Sequence, residues 1–159
     1  MSETKTPYDK DFVAWSQQQA AALRAAASAG SNLDLDWENL AEEVESLARS
    51  ERRELRSQIR RIIRHLAKLE YSPAIDPRDG WIESVSDARE EIQDLLDDSP
   101  SLTREVPQHV LEQTGRGIRQ AIGDLEKQGE TTSLDLPRLR SASYTPEQVL
   151  GDWFPGERR

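Results

Sequence analysis

Apolar residues along this chain recur every three to four positions over long stretches, the period of amphipathic helices, and no convincing strand alternation interrupts them. The first stretch, from about Asp11 to Ala29, puts Phe12, Trp15, Gln19, Ala22, Leu23 and Ala26 on one face and is broken by Gly30-Ser31-Asn32. The second runs from an N-cap at Asp36 to Tyr71 without Gly or Pro, and Ser72-Pro73 stops it. Its stripe comprises Trp37, Leu40, Val44, Leu47, Ala48, Leu55, Ile59, Ile62, Leu66 and Leu69. About 35 residues at 1.5 Å each make a rod of roughly 50 Å, either kinked or the spine of a bundle or dimer. A turn over 73–80 leads to a third helix, about Trp81 to Asp98, and Ser99-Pro100 opens a short helical turn. A fourth, about Pro107 to Gln128, uses Val110, Leu111, Thr114, Ile118, Ala121, Ile122 and Leu125, with Gly129 able to end it. Residues 130–143 read as a loop, Thr145-Pro146 starts a last short helix through Leu150, and Trp153-Phe154-Pro155 is an apolar tail expected to dock on the body.

The expected fold is therefore all-α. It is a bundle of about four main helices around one long central helix (about 36–71), with a short C-terminal helix and an apolar tail. One domain is expected over 1–159, with residues 1–8 as a flexible N-terminus. The hydrophobic share of 35% is low because long helices bury a narrow stripe and expose a charged face.

Composition then narrows the chemistry. The absence of cysteine removes disulfides, thiolate metal sites and cysteine nucleophiles, and two histidines, His65 and His109, do not support a multi-histidine centre. No Glu-x-x-His pair, phosphate-binding glycine loop or dinucleotide fingerprint occurs, so neither metal nor cofactor is expected. No run approaches ~18 apolar residues, so no membrane association is expected. Ala27-Ser28-Ala29 has the look of a signal-peptidase site. The segment before it carries Asp9, Asp11, Gln17, Gln18, Gln19 and Arg24 where an apolar core is needed, and a cytoplasmic location is expected.

The net charge of −9 averages two opposed surfaces. On the long helix, Arg49, Arg53, Arg56, Arg60 and Arg64 form a basic ridge opposite the apolar stripe, with Arg52, Arg61 and Lys68 beside it. On the third, Glu83, Asp87, Glu90, Glu91, Asp94, Asp97 and Asp98 cover the outer face. The ridge is either a solvated face that complements the helix dipole, with acidic residues in the first turns, or a surface for an anionic partner. Facing charges on two copies of the chain make self-association a natural hypothesis. A pI near 4.8 argues against DNA binding, and a protein partner is expected ahead of nucleic acid.

Glu51, Gln58 and His65 recur every seven residues on or beside the apolar stripe of the long helix. They are either a buried polar network fixing helix register, with Arg89 as candidate partner of Glu51, or the lining of a small-ligand pocket. Arg60 and His65 also have the R-x4-H spacing of small helical ribonucleases, in which Arg holds phosphate and His moves a proton.

Several segments together carry a family likeness. They are Tyr8-Asp9-x-Asp11-Phe12-x-x-Trp15, Asn39-Leu40-x-Glu42-Glu43-Val44-Glu45-x-Leu47, Ser50-Glu51-Arg52-Arg53-Glu54-Leu55 and His65-Leu66-x-Lys68. Trp81, Arg89, Ser99-Pro100-Ser101-Leu102, Gln148-Val149-Leu150 and Trp153-Phe154-Pro155 complete the set. The chain resembles the bacterial family catalogued as domain of unknown function twenty-nine. The resemblance implies an all-helical single-domain bacterial protein and brings no catalytic residues. The expected function is a non-enzymatic interaction or assembly module using the charged helix faces, with a protein partner or self-association. The alternatives are a ribonuclease-like hydrolase using Arg60 and His65, or a ligand-binding bundle at Glu51, Gln58 and His65.

Overall fold

The computed structural model describes residues 4–156 and contains seven α-helices, with no strand among the described residues. They are α1 (Pro7–Lys10), α2 (Phe12–Ser28), α3 (Trp37–Tyr71), α4 (Arg78–Asp98), α5 (Val106–Lys127), α6 (Leu136–Arg140) and α7 (Pro146–Leu150), with 3-10 turns at Pro100–Glu105 and Thr131–Ser133. The long helix is unbroken over its 35 residues, and Asp36 accepts from the Asn39 amide at 3.3 Å to cap it. The chain divides into two compact units, one of residues 1–54 and 94–104, the other of residues 55–93 and 105–159.

In the first unit, the start of α2 is held by side chains from far along the chain. Asp11 caps Ala14 at 2.8 Å and also accepts from the Ser101 amide (2.7 Å) and hydroxyl (2.9 Å). Buried Ser99 accepts from the Val13 amide at 3.1 Å. Amides in the first turn of a helix have no partner within it, so these contacts close the exposed end. Further along, small residues let α2 and α3 approach closely: Ala20, Ala41 and Ala48 are buried, and the Ser16 hydroxyl donates to the Val44 carbonyl. Of the segment expected as a flexible N-terminus over 1–8, Pro7 and Tyr8 belong to α1. Thr6 and Asp9 form a reciprocal capping box on α1, while residues 1–3 lie outside the described residues.

In the second unit, the C-terminal half of α3 is buried over far more than a narrow stripe. Leu55, Ile59, Ile62, Ile63, Leu66 and Ala67 have no exposed surface. Helix α5 comes close because residue 117 is glycine: a Cβ there would lie 2.8 Å from Ile63 Cγ2 and 3.2 Å from the Arg60 carbonyl. Gly129, at φ +74°, ends α5 with the Glu130 amide bonded back to Leu125. The expected loop over 130–143 contains α6, capped by Asp135 with Pro137 in its first turn. Thr145 and Gln148 form a capping box on α7. Several expected core positions are instead exposed, Leu40, Leu47 and Ile82 among them and Leu111 most of all, at 74%.

Candidate functional site

Much of the basic ridge finds partners within the protein. In the first unit, Arg49 reaches Glu42 at 2.5 Å and Glu45 at 3.6 Å, and Arg24 from α2 lies within 3.8 Å of Glu38, Glu42 and Glu45. The Arg24 contact holds the Glu45 carboxyl below its usual range. Arg53 is exposed. In the second unit the row Arg56, Arg60, Arg64, Lys68, spaced by four, tracks α5. Arg60 donates to Gln113 Oε1 at 3.0 Å, and Arg64 makes a two-pronged bond to Asp124 at 2.6 Å for each oxygen. Buried Lys68 bonds the same carboxylate at 3.0 Å and lies 4.9 Å from the centroid of the Trp81 ring. Burial pushes the Asp124 carboxyl up, but the Arg64 and Lys68 hydrogen bonds outweigh it and leave the group below the usual range. Arg56 adds a favourable charge to Glu112, which the Gln108 and His109 contacts hold low. The ridge at Arg60, Arg64 and Lys68 is thus a seam between α3 and α5. The reason is geometric: α3 is packed on more than one side here, so its polar face meets another helix.

The polar row divides as well. Arg89, the candidate partner for Glu51, has another use: it donates to the carbonyls of Val149 (2.9 Å), Gln148 (2.9 Å) and Trp153 (2.7 Å) and lies 4.8 Å from the Phe154 ring centroid. It is the clamp that docks the apolar tail. Gln58 is half-buried. His65 is half-buried too, its Nδ1 enclosed with no hydrogen-bond partner. Burial, reinforced by the Lys68 and Arg64 charges, pulls its imidazole from 6.5 to about 4, so it is neutral at pH 7. Glu51 lines an open cleft of about 920 Å³ in the first unit, together with Thr4, Lys5, Thr6, Tyr8, Asp9, Phe12 and Asp98. Burial first, then Asp98 and Glu54, push its carboxyl above the usual range.

Two polar residues of the second unit escaped sequence reasoning, and a third, His109, was named there without a partner. Gln113 and Asp124 lie eleven positions apart on α5, three turns along one face, and that spacing was the available signal. Buried His109 sits between two carboxylates of its own helix, with Nε2 3.3 Å from Glu105 and Nδ1 3.5 Å from Glu112.

Helix α4 contrasts with the ridge. Within the second unit, Glu83, Asp87, Glu90 and Glu91 share a face at i, i+4, i+7 and i+8, and all are exposed. None of these four side chains has an ion-pair partner among the described residues. Ile82, 38% exposed, precedes them. No helix of the described residues is long and apolar enough to cross a membrane.

The family described as domain of unknown function DUF29 matches the chain over residues 7–154. In three dimensions the chain is similar to an alpha-helical protein of unknown function from Rhodospirillum rubrum. That likeness has a TM-score of 0.62 at 26% identity and covers 96% of this chain and 93% of the other. No curated protein matches the sequence. The segments that carried the family likeness coincide with structural joints: Asp11 with Ser101, Val13 with Ser99, and Arg89 with the Gln148-to-Phe154 tail.

Proposed function

The chain belongs to the DUF29 family, a membership that assigns no activity, and we propose that it is a non-enzymatic interaction module whose acidic α4 face docks a basic surface of a partner protein. One contrast carries this reading. The arginines at the α3–α5 seam are hydrogen-bonded inside the protein, whereas Glu83, Asp87, Glu90 and Glu91 are exposed without ion pairs among the described residues. Like charges at i, i+4 on a helix cost a few tenths of a kcal/mol per pair, a cost that an opposing basic surface removes. Charges of this kind set association rate and partner choice more than raw affinity.

The ribonuclease reading has less support. Arg60 is tied to Gln113, and the Nδ1 of His65 is enclosed without a partner while burial makes the imidazole a weak base, so neither group is poised for phosphate or proton transfer.

The test is co-purification from the native host, comparing the wild-type chain with a quadruple variant, Glu83→Gln, Asp87→Asn, Glu90→Gln and Glu91→Gln. A partner retained by the wild type, released by salt and lost from the variant supports the reading. Identical partners on both proteins, or none on either, would sink it. Circular dichroism of the variant checks that the helix survives, since exposed substitutions of this kind change stability by about 0.5 kcal/mol or less.

A further inference from the structure

The cleft in the first unit combines size, an aromatic wall and two carboxylates that the protein itself does not neutralise. Its volume of about 920 Å³ falls among small-molecule sites, which span roughly 300–1,000 Å³. Tyr8, 51% exposed, packs edge-on against Phe12 at 5.5 Å and Trp15 at 4.8 Å, which fixes its ring at the cleft.

The carboxylates of the cleft are not equivalent. Asp9 accepts from the Thr6 amide at 3.1 Å and hydroxyl at 2.6 Å, with the Lys5 charge acting on it. Glu51 and Asp98 accept no side-chain hydrogen bond and join no ion pair among the described residues, yet they stand close enough to repel one another. Burial and the nearby Asp98 already raise the Glu51 carboxyl, so a positive group arriving there would offset both effects.

We infer that this cleft binds a small organic cation, an ammonium or guanidinium group on a short apolar stem, with Glu51 and Asp98 receiving the charge and Tyr8 and Phe12 covering the stem. Aromatic faces attract such groups through the ring quadrupole, and carboxylates accept their N–H donors. A hard metal ion fits less well, because it requires about six oxygen ligands. No group of three or more His, Cys, Asp or Glu side chains is placed to hold one among the described residues. A free amine and the basic side chain of a peptide share this chemistry.

The experiment is an NMR titration of the isotope-labelled full chain with putrescine and agmatine, and with capped lysine and arginine as peptide mimics. Acetate and magnesium serve as controls. Saturable shifts centred on Tyr8, Phe12, Glu51 and Asp98 are expected. Glu51→Gln and Asp98→Asn should each weaken binding about tenfold or more. Tyr8→Leu should weaken it roughly threefold. Glu126→Gln, at an exposed position outside the cleft, should leave it unchanged. Saturation by the free amines alone identifies the source as a free amine, and tighter binding of the capped residues identifies a peptide side chain; either supports the inference. It is overturned if no cation gives saturable shifts up to about 10 mM, if affinity survives both carboxylate substitutions, or if magnesium saturates these residues and the amines do not. Asp98 is exposed, so its variant tests the carboxylate pair without disturbing a packed position.

Discussion

Removing the Arg89 side chain is expected to release the C-terminal segment while leaving the rest of the second unit folded. Its guanidinium makes three hydrogen bonds to carbonyls, at 2.7, 2.9 and 2.9 Å, and stacks over Phe154. Burial lowers its pKa, with the Asp152 charge acting in the opposite direction. A hydrogen bond to a charged group contributes about 1.5–3 kcal/mol, but three donors on one group are not additive, and water replaces part of what is lost. Arg89→Ala should therefore cost about 3–5 kcal/mol, or roughly 10 °C in Tm. Arg89→Lys keeps the charge without the fork and should recover at most half of that loss. Hydrogen exchange over residues 146–154, together with urea denaturation, reads both quantities. Faster exchange confined to this segment is the expected pattern. A loss below about 1 kcal/mol with unchanged protection of the tail would refute the clamp.

Other positions give sharp expectations. Gly117→Ala should destabilise by about 1–3 kcal/mol, because its Cβ would press on Ile63 and on the Arg60 carbonyl. Gly123→Ala, with nothing within 4 Å of its Cβ, should stabilise α5 by up to about 1 kcal/mol, and urea midpoints compare the two. His65 has a folded pKa below its unfolded one, so the unfolded state binds the extra proton first. Stability from this group is complete above 6.5 and falls as pH drops toward about 4. The full shift corresponds to about 3–4 kcal/mol, and because the imidazole is only half-buried and partly screened by solvent the loss stays below that. His65→Gln should flatten that part of the pH–stability profile, and an unchanged slope would contradict the burial of the imidazole. The double variant Arg60→Ala, His65→Ala should leave total RNA patterns identical to those with wild type; a difference would revive the ribonuclease reading.

The helices were legible because their signals are local. Asp36 at the start of α3, Ser72-Pro73 after it and the Thr145-Pro146 opening of α7 each act within one turn of chain, and helical periodicity supplied the rest. Helix α4 starts at Arg78, earlier than the Trp81 expected, since Gly80, which reads as the end of the preceding turn, lies inside its first turn. Helix α6 was hidden in a polar stretch although Asp135-Leu136-Pro137 is a cap followed by an early proline.

The use of the charges was much less legible. A helical wheel places the arginines of α3 opposite its apolar stripe, but it carries no information on whether a second helix covers that side. Only the pairing of Arg64 and Lys68 with Asp124, some sixty residues away, shows that it does. Arg89 likewise lies at the margin of an apolar face, a position that suits a carboxylate partner as well as the carbonyls it holds. The Glu51–Gln58–His65 row has a shared spacing, yet only Glu51 of the three lines the cleft.

Zero-length carbodiimide crosslinking of the native-host complex tests the central claim most directly, because the reagent joins carboxylates to lysines that touch them. Crosslinks to the partner concentrated at Glu83, Asp87, Glu90 and Glu91 are the result this account predicts. Crosslinks spread evenly over the surface carboxylates, or gathered on the first turns of α3 with none on α4, would contradict it.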